Sequence, residues 1–300
     1  MANPTYKQVV TSLFSWLTKS DNVKSDQTST IIPARSISSH IISHQDCVIA
    51  GLKELSSLLL PYHPYLTFNA LVKDGNLVKS GQTIANLNGN AKIILSYERT
   101  ILNFLQRMSG IATQTNHIIK YLNNLQPTTY NLQPMIAATR KTPWGLLDKK
   151  AVAVGGGLTH RLSLADGMLI KDNHLAILKK EYSLKSEAKA VTKALELSLS
   201  KVKNTMVEIE VTTPEAVEAA VKASSGFPLT IMLDNWQANE AKKTITRLKK
   251  KYDLSHVLFE ASGGIDEANI KDWAKAGVNF ISLGSLTHSP KAADLSLEIE

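Results

Sequence analysis

The chain lacks the features that mark secreted and membrane proteins. It has a single cysteine, Cys47, which excludes a disulfide within one chain and suits a reducing compartment. No apolar run reaches the roughly 18 residues of a membrane helix. The first residues have no basic leader and no small-residue cleavage site, and Val9 to Leu17 has helical spacing, so we predict a surface helix there. We expect a cytoplasmic protein with no membrane partner.

The composition is that of a globular protein with an excess of positive charge. Of its 300 residues, 43% are hydrophobic, and 34 Lys and Arg against 26 Asp and Glu give a net charge of +8. This balance favours anionic partners in general, including nucleic acids and phosphorylated metabolites. The lysines near 185–203 and 242–251 lack interleaved aromatic residues, so we expect no nucleic-acid partner.

The first third of the chain predicts a small α/β unit. Short β-type runs, one helix near 50–60 and turn signals at Asp74-Gly75 and Ser80-Gly81 indicate an antiparallel sheet between Thr28 and Asn90. Residues 98–122 follow the i, i+3, i+4, i+7 spacing of a long amphipathic helix, with Gly110 as an exception. We predict that this helix joins two domains.

The rest of the chain alternates short apolar runs with polar helical stretches. Strands are predicted near 135–139, 168–172, 206–211, 229–235, 257–261 and 279–284, and helices near 185–203, 214–224, 237–251 and 266–276. Alternating strands and helices indicate a parallel sheet, either a barrel or a doubly wound sheet. The fold class is therefore α/β.

Charged residues stand where these predicted strands end. Arg140 follows the first strand, Lys171 ends the second and Asp234 closes the fourth. In α/β barrels the carboxyl ends of the strands share one pocket, so we expect these side chains to meet. Glu208 and Glu210 point to one face of a strand by their spacing, and a solvent-facing ion pair is the alternative interpretation.

The segment from Ala138 to Asn173 concentrates cations around a triple glycine, Gly155 to Gly157. Cations and backbone N–H groups replace the hydration of an anion, so the segment predicts a substrate with several negative charges. Carboxylates beside such a substrate suit Mg²⁺, which keeps waters and uses few protein ligands. The glycines and hydroxyls at 262–265 and 282–289 predict a phosphate site built from backbone amides.

Eight motifs together resemble one known family. ERTILNFLQRMSGIAT, ATRKT, AVAVGGGLTHR, LIKDNH, VEIEV, IMLDN, EASGGI and ISLGSLTHS occur in the order and near the spacing of the quinolinate phosphoribosyltransferases, type II phosphoribosyltransferases. The resemblance covers about residues 26–296. It implies an N-terminal α/β sandwich over 1–110, to which 286–300 can return, and an open-faced, incomplete α/β barrel over 111–285.

The resemblance implies an activity and a site. The reaction joins quinolinate to phosphoribosyl pyrophosphate and releases pyrophosphate and CO₂, giving nicotinate mononucleotide for NAD biosynthesis. The implied catalytic residues are Lys141, Lys171, Glu210 and Asp234, of which Glu210 and Asp234 also stand near Mg²⁺. The implied substrate-binding residues are Arg99, Arg140, Lys141, His160, Arg161, Lys171, Glu210, Asp234, Ser262, Gly263, Gly264, Gly284 and His288.

The family works as dimers or assemblies of dimers with shared active sites, which implies that Arg99 reaches the neighbouring subunit. Arg99 lies near the start of the predicted 98–122 helix, where a cation opposes the macrodipole, and pairing with Glu98 is the alternative reason for it. The sequence departs from many relatives at Pro143 to Leu147, where an arginine contact is missing, and at Ser25, where glycine is usual.

Two other enzymes and a binding protein are alternatives. Lys171 could form a Schiff base, as in barrel aldolases, although such an amine needs an apolar pocket and Asp172 follows it directly. A member of the same fold could use another pyridine or base. A nucleic-acid binder could use the positive charge.

Overall fold

The computed structural model of the protein describes residues 4–124, 133–201 and 206–300. It contains two compact units, of which the first comprises residues 1–117, 141–159 and 285–300, and the second 118–140 and 160–284. In the described residues, no helix is both long and apolar enough to cross a membrane.

The described residues form helices and strands in the following order. They are α1 (Pro4–Ser20), β1 (Ser36–Ser43), β2 (Cys47–Val48), α2 (Leu52–Leu59), β3 (Leu66–Ala70), β4 (Leu77–Val78), β5 (Thr83–Asn90), α3 (Ala91–Asn123), β6 (Met135–Ala138), α4 (Leu146–Val154), β7 (Met168–Ile170), α5 (Asp172–Glu181), α6 (Glu187–Leu199), β8 (Val207–Val211), α7 (Pro214–Ser224), β9 (Leu229–Asp234), α8 (Ala238–Lys251), β10 (Val257–Ser262), α9 (Ile270–Ala274), β11 (Phe280–Leu283), α10 (Ser285–His288) and β12 (Leu295–Ile299). Short 3-10 helices cover Val23–Ser25, Thr28–Ile31 and Leu60–Tyr62.

The first unit is built on an antiparallel sheet in the order β12-β1-β5-β3, so the C-terminal strand returns to the N-terminal sheet. Ile37, Ser39, Ile41 and Ser43 alternate along β1 and are buried, as a strand with one face on the core requires. The structure therefore contains the antiparallel sheet that was predicted for the N-terminal sandwich.

Residues 141–159 are part of the compact first unit, although the barrel domain was predicted to span residues 111–285. One close approach and one ion pair hold this segment to α3. A Cβ on Gly155 would lie 2.5 Å from the carbonyl oxygen of Ala112 on α3, so only glycine lets α4 end against this helix. Arg107 of α3 donates to both oxygens of the buried Asp148 of α4, each at 2.8 Å. Such bidentate pairs are strong and directional.

The segment 143–147, where the sequence departs from many relatives of the family, is held by contacts within the first unit. Trp144 lies beneath the Arg107 guanidinium, 5.1 Å from ring centroid to Cζ, and Gly145 has a φ of 55° before α4 begins. The Thr142 hydroxyl bonds Asp148 and accepts a bond from the Gly145 N–H at 3.0 Å. The segment after Lys141 is therefore a fixed turn.

The second unit is a six-stranded parallel sheet in the order β6-β11-β10-β9-β8-β7. The strands β7 to β11 neighbour one another in chain order, and β6, the first strand of the unit, pairs with β11, the last. This is the circular order of strands in a barrel; in a doubly wound sheet the order reverses. The consecutive strands β6 and β7 are the two edges of this sheet, so the barrel is open between them. The predicted fold class is confirmed.

The inner face of this sheet is polar, because side chains alternate between two faces. In β8, the buried residues Val207, Ile209 and Val211 face one way, and α6 and α7 pack on this strand. Glu208 and Glu210 face the other way and are also buried. The solvent-facing interpretation of this acid pair is therefore wrong.

The predicted helices differ from the observed ones in three respects. The helices α4 and α5 were missing from the prediction, and α3 begins at Ala91 and not near residue 98. Arg99 therefore lies beyond the first turn, where the helix dipole has little effect. The macrodipole argument for its placement is wrong.

Candidate active site

The second unit has a cleft of about 620 Å³ lined by cations. Arg140 follows β6, Arg161 precedes β7 and Lys171 follows β7, so three predicted site residues meet here. His174 and Lys201 also line the cleft and were not predicted as site residues. A concentration of cations of this kind favours the binding of an anion with more than one negative charge.

Lys171 is fixed by the start of α5. Its backbone N–H donates to Nδ1 of His174 at 3.0 Å, and its carbonyl accepts from Leu175. Its ammonium lies 2.9 Å from Oε2 of the buried Glu210 on the neighbouring strand β8. Lys171 thus joins the cation cleft to the acidic inner face, and its amine does not have the apolar surroundings that a Schiff-base lysine needs.

Arg161 is a buried cation, since only 7% of its surface is exposed. It also has few hydrogen-bond partners. Its Nη1 donates to the Gly167 carbonyl at 3.1 Å, whereas its Nε has no hydrogen-bond partner among the residues described. Burial, together with the nearby charge of Arg140, lowers the pKa of Arg161 below its ordinary value. An incoming anion would supply the missing partner.

His160 is held by two buried acids of the inner face. Its Nε2 donates to Oε2 of Glu208 at 2.8 Å and lies 3.5 Å from Oε2 of Glu260. Burial alone would lower the pKa of His160, but the hydrogen bond to Glu208 and the contact with Glu260 raise it to about 9. Burial raises the pKa of Glu208, although the bond from His160 opposes this shift. A protonated His160 is one more cation of the site.

A glycine turn follows β10. Gly263 and Gly264 have φ values of 86° and 61°, and a Cβ on Gly263 would lie 2.3 Å from Oδ1 of Asn235. The N–H groups of both glycines have no hydrogen-bond partner in the described part of the chain, whereas the Ser262 carbonyl accepts from Asn235 at 2.9 Å. Free backbone N–H groups in left-handed turns bind anions, as phosphate sites require.

Asp234 closes β9 beside this turn. Its Oδ2 accepts from Nδ2 of Asn235 at 2.7 Å, and its position in the sheet pairs with Ser262. Gly284 follows the next strand, β11. The predicted residues Glu210, Asp234, Ser262, Gly263, Gly264 and Gly284 therefore occupy the carboxyl ends of four successive strands, β8 to β11.

Three predicted site residues lie in the first unit. The carbonyl of Lys141 accepts from the Thr287 hydroxyl at 2.8 Å, and His288 ends α10. Arg99 is 59% exposed by its side chain and lies 3.9 Å from an oxygen of Glu98. The pairing with Glu98 therefore exists, and a role of Arg99 in a neighbouring subunit stays a prediction.

Two groups of side chains could hold a metal ion. His160, Glu208 and Glu260 offer ligand atoms that all lie within 4.8 Å of one another. Glu210 and Asp234 offer two carboxylates in neighbouring strands, and each has one oxygen without a hydrogen-bond partner among residues 4–124, 133–201 and 206–300. The second group needs further ligands from a substrate, as Mg²⁺ sites with phosphates commonly have.

An open barrel with a cation cleft and a phosphate-type glycine turn at the carboxyl ends of its strands defines an enzyme that acts on an anionic substrate. The comparisons narrow this class. The family described as "Quinolinate phosphoribosyl transferase, C-terminal domain" matches residues 111–298, and the corresponding N-terminal domain matches residues 25–109. The chain belongs to the quinolinate phosphoribosyltransferase family.

Relatives and solved structures agree with this family. The probable nicotinate-nucleotide pyrophosphorylase [carboxylating] of Methanothermobacter thermautotrophicus is 34% identical over 86% of this chain and 87% of its own. The chloroplastic enzyme of that name from Arabidopsis thaliana is 35% identical over 88% of this chain and 74% of its own. The Francisella tularensis structure of that name has a TM-score of 0.80, 32% identity and coverage of 98% and 97%. Human nicotinic acid phosphoribosyltransferase, with a TM-score of 0.52 and 12% identity, shares the fold alone.

Proposed function

We propose that this chain transfers the phosphoribosyl group of phosphoribosyl pyrophosphate to quinolinate, with loss of CO₂. The products are nicotinate mononucleotide and pyrophosphate, in a step of NAD biosynthesis. One observation carries this proposal: the cation cleft and the acidic inner face meet at Lys171, which lines the cleft and bonds Glu210. The reaction needs both environments side by side.

The cation cleft suits the acceptor. Quinolinate carries two adjacent carboxylates on a pyridine ring, and Arg140, Arg161 and Lys171 offer three cations in one cleft. The carboxylates replace the missing partners of Arg161, and charge-assisted hydrogen bonds fix the orientation of the ring. Its nitrogen is thereby presented to the ribose carbon, which removes most of the entropic cost of the encounter.

The acidic inner face suits the donor. When pyrophosphate leaves, positive charge develops on the ribose carbon, and carboxylates near this carbon stabilise it. Glu210 and Asp234 stand on adjacent strands at the carboxyl edge of the sheet and supply this negative charge. The turn at Gly263 and Gly264 offers its free N–H groups to a phosphate of the donor.

The loss of CO₂ is assisted by the product of the first step. Transfer of the ribosyl group to the ring nitrogen makes that nitrogen positive, and the electron pair left by CO₂ at the adjacent carbon is stabilised by this charge. The cations hold the remaining carboxylate and keep the ring in place. This electron pair then takes up a proton from the solvent, which gives the C–H bond of the product, so the step requires a proton source and no general base.

We propose that Mg²⁺ is the cofactor, held by Glu210, Asp234 and oxygens of the donor. When bound, the ion neutralises the leaving pyrophosphate. This proposal is supported by the carboxylate oxygens, because each of the two side chains has one oxygen without a hydrogen bond in the described residues. In Glu210 this oxygen is Oε1, since the Lys171 ammonium bonds Oε2.

The remaining assignments rest on the family resemblance. We propose that Lys141 and His288 bind substrate, that the active unit is a dimer or an assembly of dimers to which Arg99 contributes across the interface, and that the protein is cytoplasmic. The exposed guanidinium of Arg99 is compatible with contact to a second copy.

The test uses purified protein, Mg²⁺, phosphoribosyl pyrophosphate and quinolinate labelled with ¹³C in the 2-carboxylate. We expect labelled CO₂ and a product with the mass of nicotinate mononucleotide, in equal amounts. Product without CO₂ release, or no product with an intact and folded chain, would contradict the proposal. Trapping with borohydride and a carbonyl substrate tests the Schiff-base alternative, for which we expect no adduct.

A further inference from the structure

Helix α4 carries two consecutive polar side chains that are buried. Only 0% and 1% of the surfaces of Asp148 and Lys149 are exposed. Consecutive side chains of a helix are about 100° apart, so the two point in different directions. Buried polar groups are costly unless they are hydrogen-bonded, and apolar residues would pack here without that cost. The reason for this pair lies in the chain positions of its partners.

Asp148 holds the chain at Lys141. Its carboxylate accepts from Nε and Nη2 of Arg107, each at 2.8 Å, and from the Thr142 hydroxyl. Nη2 of Arg107 also donates to the Thr287 carbonyl at 3.0 Å, and the Thr287 hydroxyl donates to the Lys141 carbonyl at 2.8 Å. The backbone of Lys141 and the side chain of Thr142 are therefore tied to one network.

Lys149 holds the chain just before His160, because its Nζ donates to the carbonyl oxygen of Thr159. Three glycines, 155–157, lie between α4 and this carbonyl, and Gly156 has a φ of 97°. Glycines leave the backbone free to take many conformations, so a bond at Thr159 restricts the residue that follows. His160 has a φ of 52°, a conformation that residues other than glycine adopt at a cost and that persists where the surroundings determine it.

We propose that Asp148 and Lys149 are positioning residues for the binding cations at the two ends of the segment 141–159. These cations are Lys141 at its start and Arg161 just beyond its end. This inference rests on the proposed function, in which both cations bind substrate. Asp148 and Lys149 act through the backbone and need no contact with the substrate.

The need for such positioning is clearest at Arg161. Among the described residues its guanidinium has one hydrogen bond, to the Gly167 carbonyl. The place of this side chain therefore depends on the backbone that leads into it, which Lys149 fixes at Thr159. Charge-assisted hydrogen bonds are directional, and a group that is misplaced by about 1 Å can cost about 100-fold in rate.

The first experiment replaces Lys149 with methionine, which has a similar unbranched shape and no N–H donor. Lys150→Met is the matched control, because Lys150 is the next residue of α4 and is exposed. Hydrogen exchange of the free protein, measured by mass spectrometry, should become faster in peptides that cover residues 156–162 in Lys149→Met, because their local opening costs less. It should not change in the control. This result does not depend on activity.

The same variants are then tested for substrate binding. Calorimetry should show quinolinate binding weakened roughly 10-fold in Lys149→Met, because Arg161 is no longer held in place. The KM for phosphoribosyl pyrophosphate should change little, since the groups assigned to the donor stand at the ends of β8, β9 and β10. Lys150→Met should bind both substrates as the wild type does.

The second experiment concerns the other end of the segment. Thr142→Val removes the hydroxyl that bonds Asp148 at nearly the same size, whereas Thr142→Ser keeps a hydroxyl. We expect kcat/KM for quinolinate to fall roughly 10-fold in Thr142→Val, because the neighbouring Lys141 is less well fixed. Thr142→Ser should stay near the wild-type value.

Four results would overturn the inference. Two are unchanged hydrogen exchange at 156–162 and unchanged quinolinate affinity in folded Lys149→Met. The third is an equal loss of affinity for both substrates, which indicates a merely structural role. The fourth is a Thr142→Ser protein as slow as Thr142→Val. Failure of the wild-type protein to turn over quinolinate would instead refute the proposed function, and hydrogen exchange then still decides whether Lys149 fixes the chain before His160.

Discussion

Replacing Arg161 with methionine should stabilise the free protein while it weakens substrate binding. Arg161 is buried, and its Nε has no hydrogen-bond partner in the described residues. Burial and the repulsion by Arg140 outweigh the attraction by Glu208 and Asp166, because the pKa of Arg161 is lowered. Methionine keeps an unbranched apolar stem in the same space and removes the charge. The variant therefore separates the effect of the buried cation on the stability of the free protein from its effect on substrate binding.

The magnitude follows from the contacts. A buried donor without a partner costs about 1–3 kcal/mol, and the loss of the bond to the Gly167 carbonyl offsets about 1 kcal/mol of this. We expect the free energy of unfolding to rise by about 1 kcal/mol, which corresponds to roughly 2–4 °C in the melting midpoint. Quinolinate binding should weaken by about 1.5–3 kcal/mol, or roughly 10- to 100-fold.

Thermal unfolding with and without quinolinate measures both effects. At a ligand concentration of about 100 times Kd, the wild-type protein should gain about 2.7 kcal/mol, and the variant should gain far less at the same concentration. Arg247→Met is the control, because Arg247 is 55% exposed by its side chain, lies on α8 and does not belong to the residues that line the cleft. It should change neither quantity.

Two results would refute this account of Arg161. If Arg161→Met lowers the melting midpoint of the free protein by several degrees, the guanidinium stabilises the fold and is not held ready for a ligand. If the variant binds quinolinate as the wild type does, the substrate does not contact Arg161.

Three further predictions concern turnover, pH and assembly. Glu210→Ala and Asp234→Ala should each lower kcat more than they raise the quinolinate KM, since these acids act on the ribose carbon and Mg²⁺; a pure KM effect in both would contradict this. Quinolinate affinity should fall as the pH rises through about 9, where His160 loses its proton, and a fall centred near 6.5 would place His160 in an ordinary environment. Arg99→Ala and Lys141→Ala dimers should be nearly inactive, whereas mixed dimers regain up to about half the activity; no recovery in verified mixed dimers would exclude a shared site.

Much of the barrel was predictable because its strands are short apolar runs that end in charged residues. The strands predicted near 206–211 and 229–235 match β8 and β9 within one residue at each end, and the helix predicted near 214–224 matches α7. Parallel strands place their carboxyl ends at one edge, so Arg140 and Lys171 could be assigned to one pocket from the sequence alone.

The helices α4 and α5 were not predicted. The residues of α4 lie in the segment from Ala138 to Asn173, which was interpreted by its cations and glycines as a substrate-binding segment. Leu147, Ala151 and Val152 are spaced as one face of a helix, and this signal could have revealed α4. Asp148 lies on the same helix but is buried by its pairing with Arg107, a contact between distant segments that no local pattern predicts. In α5 only Leu175 is buried, so its apolar periodicity is weak.

The meeting of Glu208 and Glu260 at His160 could not be predicted either. Both were visible as acids within apolar strands, but they approach the same nitrogen of His160 from two strands that are separated by β9. This meeting depends on the register of the sheet and on the left-handed backbone of His160. His174 was overlooked although it follows Lys171 by three residues, the spacing at which a side chain can cap the start of a helix.

The central claim is that the cation cleft selects an acceptor with two adjacent carboxylates, and competition between acceptors tests it most directly. Purified protein receives Mg²⁺, phosphoribosyl pyrophosphate, and quinolinate and nicotinic acid in equal concentrations, and the source of the product is read from an isotope label in one acceptor. Because an acceptor without the 2-carboxylate leaves buried cations unpaired, we expect kcat/KM for quinolinate to exceed that for nicotinic acid by about 100-fold or more. Equal use of the two acceptors would contradict the claim.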